Sequence, residues 1–490
     1  MTPPALPVPR SPIASPPMSR HDAIALATRH FDDGGFLATL QEAVARPTES
    51  QAPGQLPALT AYLTDLVAPA VARLGFTSRI LDNPDGVHGP FLIAERREGE
   101  DLPTVLIYGH GDTVRGYPEQ WREGLHPWRI VVEGERWYGR GTADNKGQHL
   151  VNLAALEAVM RARGGRLGFN TKLVIEMGEE SGSPGLREIC RAESRALAAD
   201  LLIASDGPRV SAERPTIFLG SRGAFNFELI VNLREGGHHS GNWGGLLRNP
   251  GTVLANAIAS LVDARGTILI DALRPPPIPE GVRAALADIT VGGDPNAPAI
   301  DEGWGEPGLS PAERVFGWNA LEVLAFKTGD PDGPLNAVPP SAKATLQLRF
   351  VVGTDWQNLI PAIRAHLDAH GFPMVEVRAA RTEVFRATRL PVEDPWVAWA
   401  LASIAESTGK RPALLPNLGG SLPNDAFSEI LGLPTLWVPH SYPACSQHAP
   451  DEHLLGPMTR EALGLMAGLF WDLGETGPAV LARRREAQGD

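Results

Sequence analysis

Cysteine, positive charge and long apolar runs are all scarce in this sequence of 490 residues. Only two cysteines occur, Cys190 and Cys445, so a disulfide framework of the secreted type is excluded and a reducing, cytoplasmic compartment is expected. The chain has 44 basic and 57 acidic residues, a net charge of −13, which argues against nucleic acid as a partner. The longest apolar run, Ala462 to Phe470, is far shorter than the ~18 residues that span a bilayer, so we expect no membrane association.

Glycine and proline, in contrast, are frequent, and proline is concentrated at the N terminus. Residues 1–20 lack the apolar segment that is typical of a secretory signal, so we predict a disordered, Pro-rich leader there. The chain is much longer than the ~150 residues of a typical single domain, which predicts at least two domains.

Four short runs of large and β-branched apolar residues predict strands that are buried on both faces of a mostly parallel sheet. Amphipathic segments between these runs predict helices that sandwich the sheet, which is an α/β architecture. From 223 to 388 the apolar residues alternate with polar ones, as in half-exposed strands. We therefore predict a principal domain at 21–222 and 389–490, interrupted by an α+β domain at 223–388. The four runs are Thr104 to Tyr108, Lys172 to Met177, Asp200 to Ala204 and Thr435 to Val438.

Each predicted buried strand is followed by histidine or acidic residues, and a glycine-rich turn, YGRGTADNKG, adds one more. Ligands of open α/β sheets bind beyond the carboxyl ends of the strands, so we expect these side chains to converge. Imidazole and carboxylate groups without thiolates suit zinc, with manganese or cobalt as alternatives. Each residue alone is more often structural, and the prediction of a metal site depends on their convergence. The residues are His110, Asp112, Asp144, Glu179, Glu180, Asp206 and His448.

Six segments resemble, in sequence and in order, the motifs of the co-catalytic zinc peptidase family that includes aminoacylase, carnosine dipeptidase and acetylornithine deacetylase. The resemblance implies that 21–222 and 389–490 form a catalytic zinc-hydrolase domain and that 223–388 is a lid and dimerisation domain. The length of this insertion is similar to that of the long-lid dipeptidase branch. The segments are GHGDTV at 109–114, YGRGTADNKG at 138–147, EMGEESGSPGL at 176–186, ASDG at 204–207, HHSGNWGG at 238–245 and SQHAPDE at 446–452.

The resemblance also implies two Zn2+ per chain, with Mn2+ or Co2+ as alternatives, and a role for each ligand. One ion would be held by His110 and Asp206. The other would be held by Glu180 and His448, and Asp144 would bridge the two.

Two further acidic residues are implied to act beside the metal ligands. Asp112 would orient the imidazole of His110, as a ligating histidine commonly requires. Glu179 would be the general base, which takes a proton from a water activated by the two ions and returns it to the leaving nitrogen. This chemistry is hydrolysis of an amide bond.

Five residues outside the metal site match family positions that contact the substrate. His239 matches a histidine that, in dimeric members, reaches into the partner's active site and stabilises the oxyanion, so a homodimer is expected. Its neighbour His238 is an alternative for this role. Arg349 matches an arginine that holds the substrate carboxylate, a task that suits a bidentate guanidinium. The remaining matched contacts are Asn336, Gly420 and Ser421.

The predicted function is metal-dependent hydrolysis of a small amide or peptide bond, with a dipeptide as the first choice of substrate. The loop that contains His448 has an aromatic residue and a cysteine where the dipeptidases usually have small and acidic residues. An N-acyl or N-carbamoyl amino acid amidohydrolase is therefore the alternative. A non-catalytic metal-binding homologue is disfavoured because Glu179 and all the predicted ligands are present. A nucleotide-binding module is disfavoured because YGRGTADNKG lacks the third glycine of a dinucleotide fingerprint and the end of a phosphate-binding loop.

Overall fold

The structure, a computed structural model, describes residues 18–292, 298–380 and 384–489. The predicted leader lies outside these residues except for its last three positions, where Ser19 caps the first helix. The helices are α1 (Arg20–Asp32), α2 (Gly35–Val44), α3 (Leu56–Tyr62), α4 (Ala68–Arg73), α5 (Lys146–Ala162), α6 (Leu186–Ala192), α7 (Ser194–Leu197), α8 (Ser240–Trp243), α9 (Pro250–Leu261), α10 (Glu280–Leu286), α11 (Pro311–Phe316), α12 (Leu359–Ala369), α13 (Pro395–Thr408) and α14 (Gly456–Gln488). The strands are β1 (Thr77–Leu81), β2 (Phe91–Arg96), β3 (Thr104–His110), β4 (Val131–Glu133), β5 (Arg136–Tyr138), β6 (Asn170–Glu176), β7 (Leu201–Ala204), β8 (Thr216–Phe218), β9 (Gly223–Asn232), β10 (His238–His239), β11 (Ala320–Thr328), β12 (Ala337–Val338), β13 (Ser341–Phe350), β14 (Val375–Ala379), β15 (Ala413–Leu415), β16 (Thr435–Trp437) and β17 (His453–Leu455).

Eight strands form one mixed, mostly parallel sheet, in the order β1-β2-β6-β3-β7-β16-β8-β15. The pairings β6-β3, β3-β7, β7-β16 and β8-β15 are parallel. Antiparallel pairings occur at the edge formed by β1 and β2 and where β16 meets β8. The four predicted buried strands, β6, β3, β7 and β16, lie side by side at the centre of the sheet, because their continuous apolar sequences suit burial on both faces.

Helices cover both faces of this large sheet, so the predicted α/β sandwich is confirmed. Successive residues of β3 point to opposite faces, and Leu106 and Ile107 accordingly belong to different apolar clusters. The cluster of Ile107 includes Val159 of α5 and Phe470 of α14, and the cluster of Leu106 includes Ile189 of α6. None of the helices in the described ranges combines the length and the apolar character that a membrane span needs.

A second, smaller sheet lies within the predicted insertion and has the order β11-β13-β9-β14, with antiparallel pairing throughout. The predicted alternation is confirmed in β9, where Phe225 and Leu229 face a core that is shared with α9 and α12. The strand β11 is an edge of this sheet, and its apolar residues Val323, Leu324 and Phe326 are 45–53% exposed. Exposed apolar edges of this kind favour pairing with another chain.

Part of the insertion packs against the large sheet and not against the small one. The helix α10 and the residues after it place Val282, Leu286 and Ile289 in the same apolar cluster as Trp437 of β16. The division of the chain into two domains at 222 and 389 therefore remains a prediction. The packing of α10 against the large sheet shows that one part of the insertion also contributes to the core of the principal domain.

Two segments of chain connect the sheets, and they are paired with each other. The amide of Leu390 donates to the carbonyl of Leu219 at 2.8 Å, and the amide of Thr388 donates to the carbonyl of Ser221 at 3.1 Å. A Cβ atom at Gly220 would lie 2.1 Å from the carbonyl oxygen of Thr388, so the close approach of the two segments requires glycine there.

Candidate metal centre

The predicted metal-site residues meet at the carboxyl ends of three adjacent parallel strands. His110 is the last residue of β3, which lies between β6 and β7. Glu179 and Glu180 open a single 3-10 turn just after β6, and Asp206 follows β7. The convergence that the sequence predicts is therefore present, because the register of β3 with β6 and β7 brings these strand ends to one level.

One cluster of possible ligands consists of His110, Asp144 and Asp206, all of them buried. The Nε2 atom of His110 lies 3.0 Å from an oxygen of Asp144 and 3.5 Å from an oxygen of Asp206. Burial disfavours the charged imidazole, yet contacts with Asp112, Asp144 and Asp206 outweigh it and hold the pKa of His110 well above its usual value. This side chain is therefore surrounded by negative charge.

The second cluster consists of Asp144, Glu180 and His448, so Asp144 belongs to both. The Nε2 atom of His448 lies 3.0 Å from the second oxygen of Asp144 and 3.0 Å from an oxygen of Glu180. Hydrogen bonds to these two carboxylates raise the pKa of His448 to about 11. A carboxylate whose two oxygens face two different clusters has the arrangement that a bridge between two cations requires.

The loop that carries His448 is open to solvent and has an irregular backbone. The side chain of His448 is 54% exposed, and Ser446, His448 and Asp451 all have positive φ values near 60°. The amide of His453 donates to the carbonyl of Cys445 at 2.9 Å and closes the loop. Left-handed backbone at non-glycine residues is uncommon and concentrates at functional sites.

Asp112 lies beside His110 and makes contacts on two sides. One of its oxygens is 3.3 Å from Nδ1 of His110, on the ring side opposite the ligand atom. The same carboxylate accepts hydrogen bonds from the backbone amides of Glu179 and Glu180, at 3.2 and 3.1 Å. Asp112 therefore fixes the imidazole and also the turn that carries the two glutamates, and this second contact was not predicted.

Glu179 is beside the clusters without belonging to either. A carboxylate oxygen of Glu179 lies 3.9 Å from the Nε2 atom of His110. Burial raises the pKa of Glu179 well above its usual value, and the nearby carboxylates of Asp206, Glu180 and Asp144 raise it further. A carboxyl group that readily accepts and releases a proton suits a general base.

The donor set of this site fits zinc. It offers imidazole nitrogens and carboxylate oxygens, and its only nearby thiol, Cys445, is buried with a pKa raised to about 12 by that burial. The carboxylates of Asp144, Glu179, Glu180 and Asp206 crowd one another, and burial raises the pKa of Glu180 to about 7. Divalent cations would compensate this crowding of buried negative charge.

A buried ion pair that the sequence reasoning missed holds the backbone at Asp144. Arg140 and Glu452 are each 1% exposed, and their side chains are 2.8 Å apart. The other oxygen of Glu452 accepts the backbone amides of Gly141, Ala143 and Asp144 at 2.9–3.1 Å. The available signal was that each partner falls in one of the six matched segments.

Gln447 is a second contact that was not predicted. Its amide nitrogen donates to the same oxygen of Asp144 that faces His448. Because Gln447 directly precedes His448, the loop presents two side chains to the shared carboxylate.

The predicted substrate contacts form two groups of their own. The Nη1 atom of Arg349 donates to Oγ of Ser421 at 2.8 Å, and the exposed Gly420 is next to it in the chain. His239 lies in the short β10-β12 pairing, and the carbonyl of Asn336 accepts the amide that follows His239. Within the described ranges, no hydrogen bond or ion pair joins either group to the residues of the metal centre.

The large sheet with a cluster of buried acidic and imidazole ligands at its carboxyl edge, and the smaller sheet inserted beside it, define a metallopeptidase architecture. The sequence pattern of peptidase family M20/M25/M40 matches residues 106–469. The chain belongs to this family, which is the family that the six motifs indicated. Its members are metal-dependent, in agreement with the two clusters of candidate ligands.

Known relatives place the chain near the dipeptidases of this family. The Beta-Ala-His dipeptidase of Mus musculus is 33% identical over 277 residues, which are 53% of this chain and 55% of that protein. The matched segment thus spans about half of the mouse relative's length. The cysteinylglycine-S-conjugate dipeptidase of Corynebacterium striatum is 28% identical over 337 residues, 66% of this chain and 70% of that protein.

The crystal structure of human carnosine dipeptidase 1 has the same fold as this chain. The two structures agree with a TM-score of 0.73 over 94% of this chain and 100% of the human one, at 23% sequence identity. The fold therefore extends over both sheets, including the inserted one.

Proposed function

We propose that this protein is a metal-dependent hydrolase of dipeptides. The observation that carries the proposal is that Asp144 presents its two oxygens to two ligand clusters while Glu179 stands beside them and belongs to neither. Family membership and the two dipeptidase relatives support the same activity.

In the proposed metal site, His110 and Asp206 would hold one ion, Glu180 and His448 would hold a second, and Asp144 would contribute to both. Zinc is the metal that the imidazole and carboxylate donors fit best, with manganese or cobalt as substitutes. When bound, the two ions would polarise the scissile carbonyl and make the attacking water more acidic.

The residues of the chain supply the other steps. Glu179 takes the proton from the attacking water and delivers it to the leaving amine nitrogen. Asp112 holds His110 and the turn of Glu179 in place. Arg349, with Ser421 and Gly420, binds the carboxylate of the substrate. His239, with Asn336 beside it, donates a hydrogen bond to the oxyanion that forms at the carbonyl.

We also propose a homodimer, in which His239 serves the active site of the partner. This side chain is exposed, and so are its neighbours Trp243, at 46%, and Leu335, at 83%. The edge strand β11 adds the exposed Val323, Leu324 and Phe326 described above. A second copy seated on the small sheet would bury this apolar surface and would bring His239 to the partner's metal centre.

A reducing, cytoplasmic location is also proposed, on the ground that both cysteines are free and buried.

The activity is tested by metal content and hydrolysis measured on the same protein. The protein is stripped with a chelator, reloaded with Zn2+, Mn2+ or Co2+, and assayed with dipeptides and N-acyl amino acids. We expect two bound ions per chain, turnover of dipeptides, loss of turnover after stripping and its return on reloading. Turnover of acylated amino acids alone would replace the proposal with the amidohydrolase alternative. Bound metal without any amide hydrolysis would indicate a non-catalytic homologue.

The role of His239 across the dimer has its own test. His239→Ala is expected to lower kcat by about 10²- to 10³-fold, as loss of an oxyanion donor does. A complementation experiment mixes this variant with Glu179→Gln under conditions that exchange subunits. Half of randomly paired dimers are mixed and each has one complete site, so about a quarter of wild-type activity should return. If His239 served its own chain, the mixture would be no more active than its components.

A further inference from the structure

Arg222, which no part of the proposed site includes, lies next to Arg349 where the small sheet begins. It directly precedes β9, whose second residue, Ala224, is opposite Arg349 of β13. The hydroxyl of Ser421 contacts both arginines, so they are close neighbours. We call these two residues the arginine pair.

The loop at 419–421 of the large sheet's domain binds both members of the arginine pair through neutral groups. The Oγ atom of Ser421 accepts from Arg349 at 2.8 Å and donates to the backbone carbonyl of Arg222 at 2.8 Å. The Nε atom of Arg222 donates to the carbonyl of Gly419 at 2.9 Å. These contacts fix both guanidinium groups without neutralising either charge.

No carboxylate in the described part of the chain forms an ion pair with either arginine. Arg222 is only 9% exposed, and burying an uncompensated cation costs free energy. Burial and, to a lesser extent, the positive charge of Arg349 lower the pKa of Arg222 to about 10. Glu322, opposite Gln347 on the face of Arg349, attracts Arg222 without reaching ion-pair distance. Two neighbouring positive charges thus lack a partner.

We propose that the arginine pair binds the C-terminal residue of the substrate and selects residues with an acidic side chain, aspartate or glutamate. Such a residue has two carboxylates. Arg349 would pair with the main-chain carboxylate and Arg222 with the side-chain carboxylate, so two positive charges would meet two negative ones. This inference rests on the proposed dipeptidase function.

Binding of the product amino acids tests the inference without requiring hydrolysis. L-Glutamate and L-glutamine have the same shape and differ in one charge, and their dissociation constants are measured by titration calorimetry. We expect the wild type to bind glutamate at least about tenfold more tightly than glutamine. Arg222→Gln should abolish this preference, and Arg349→Gln should weaken the binding of both amino acids. Equal affinities of the wild type for the two, or no binding of either, would overturn the inference.

A matched control is available on the same sheet. Arg378 is on the same face of the small sheet but forms an ion pair with Glu228 at 2.8 Å. Arg378→Gln removes an arginine that already has a carboxylate partner, so the preference for glutamate should persist. Loss of the preference in this variant would show that the general positive potential of the sheet is responsible, and would overturn the role of Arg222.

Hydrolysis of Ala-Glu and Ala-Gln separates this inference from the proposed function. In the wild type, kcat/KM should be at least about tenfold higher for Ala-Glu, mainly through KM, and Arg222→Gln should lower it for Ala-Glu alone. An equal fall for both substrates would contradict selection of the acidic side chain. Preferential binding of glutamate without cleavage of either dipeptide would support the arginine pair and refute the dipeptidase function.

Discussion

Replacing Glu179 by glutamine should lower kcat for dipeptide hydrolysis by about 10³-fold or more while bound metal stays at the wild-type level. The reason is that Glu179 belongs to neither ligand cluster, so its substitution removes a proton acceptor and leaves the ligands in place. The hydrogen bond that the backbone amide of Glu179 donates to Asp112 is unchanged by the substitution. The measurements are kcat, KM and metal content of the wild type and the variant.

The neighbouring glutamate provides the matched control. Glu180→Gln makes the same chemical change one residue away, in a side chain that contacts His448 at 3.0 Å. We expect this variant to lose activity together with bound metal. If Glu179→Gln lost metal to the same extent, or kept more than a tenth of wild-type kcat, Glu179 would not be the general base.

Glu452→Gln should cause the largest loss of stability among the residues around the site. The substitution leaves the buried Arg140 without its carboxylate, and breaking a buried ion pair in this way costs about 3–5 kcal/mol of unfolding free energy. Glu452 also holds the backbone amide of Asp144, so metal affinity should fall by about 10- to 100-fold. Chemical denaturation of the metal-free protein and a metal titration measure the two effects separately.

Two further variants identify the cause of this loss. Glu133→Gln removes a carboxylate from the exposed pair with Arg122, whose side chains are 49% and 45% exposed, and should cost less than about 1 kcal/mol. Arg140→Met combined with Glu452→Gln should cost less than the sum of the single changes, because neither charge is then left alone. Two results would show that the buried pair is not what stabilises the loop. One is that the losses of unfolding free energy of the two single variants add up to that of the double variant. The other is that Glu452→Gln loses no more unfolding free energy than Glu133→Gln.

The centre of the fold and the metal-site residues were predictable because their signals are local. Continuous apolar residues in runs such as Thr104 to Tyr108 indicate a buried strand, and the ionisable residues follow those runs directly. His110 and Asp206 therefore had to lie near each other once the strands were parallel neighbours. Asp144 required the glycine-rich turn and the resemblance, since none of the four predicted buried strands leads into it.

The remaining features depend on tertiary packing that no local pattern specifies. Arg140 and Glu452 are 312 positions apart, and their pairing follows only from burial of both segments. Arg222 precedes the alternating pattern of β9 by one position, so its place beside Arg349 became evident only from the contacts that both residues make with Ser421. The short apolar pattern of α10 fits either sheet, and packing against Trp437 selects the large one.

The two segments that connect the sheets, at Gly220 and Thr388, are paired with each other and form one structural unit. Because the segments are hydrogen bonded side by side, sliding one past the other would break those bonds, so the two crossings between the sheets form a single two-stranded connection. Arg222 is two residues from Gly220 and stands at the end of this connection, whereas Arg349 belongs to β13. An anion held by both guanidinium groups would therefore be bound by the connection and by the small sheet together.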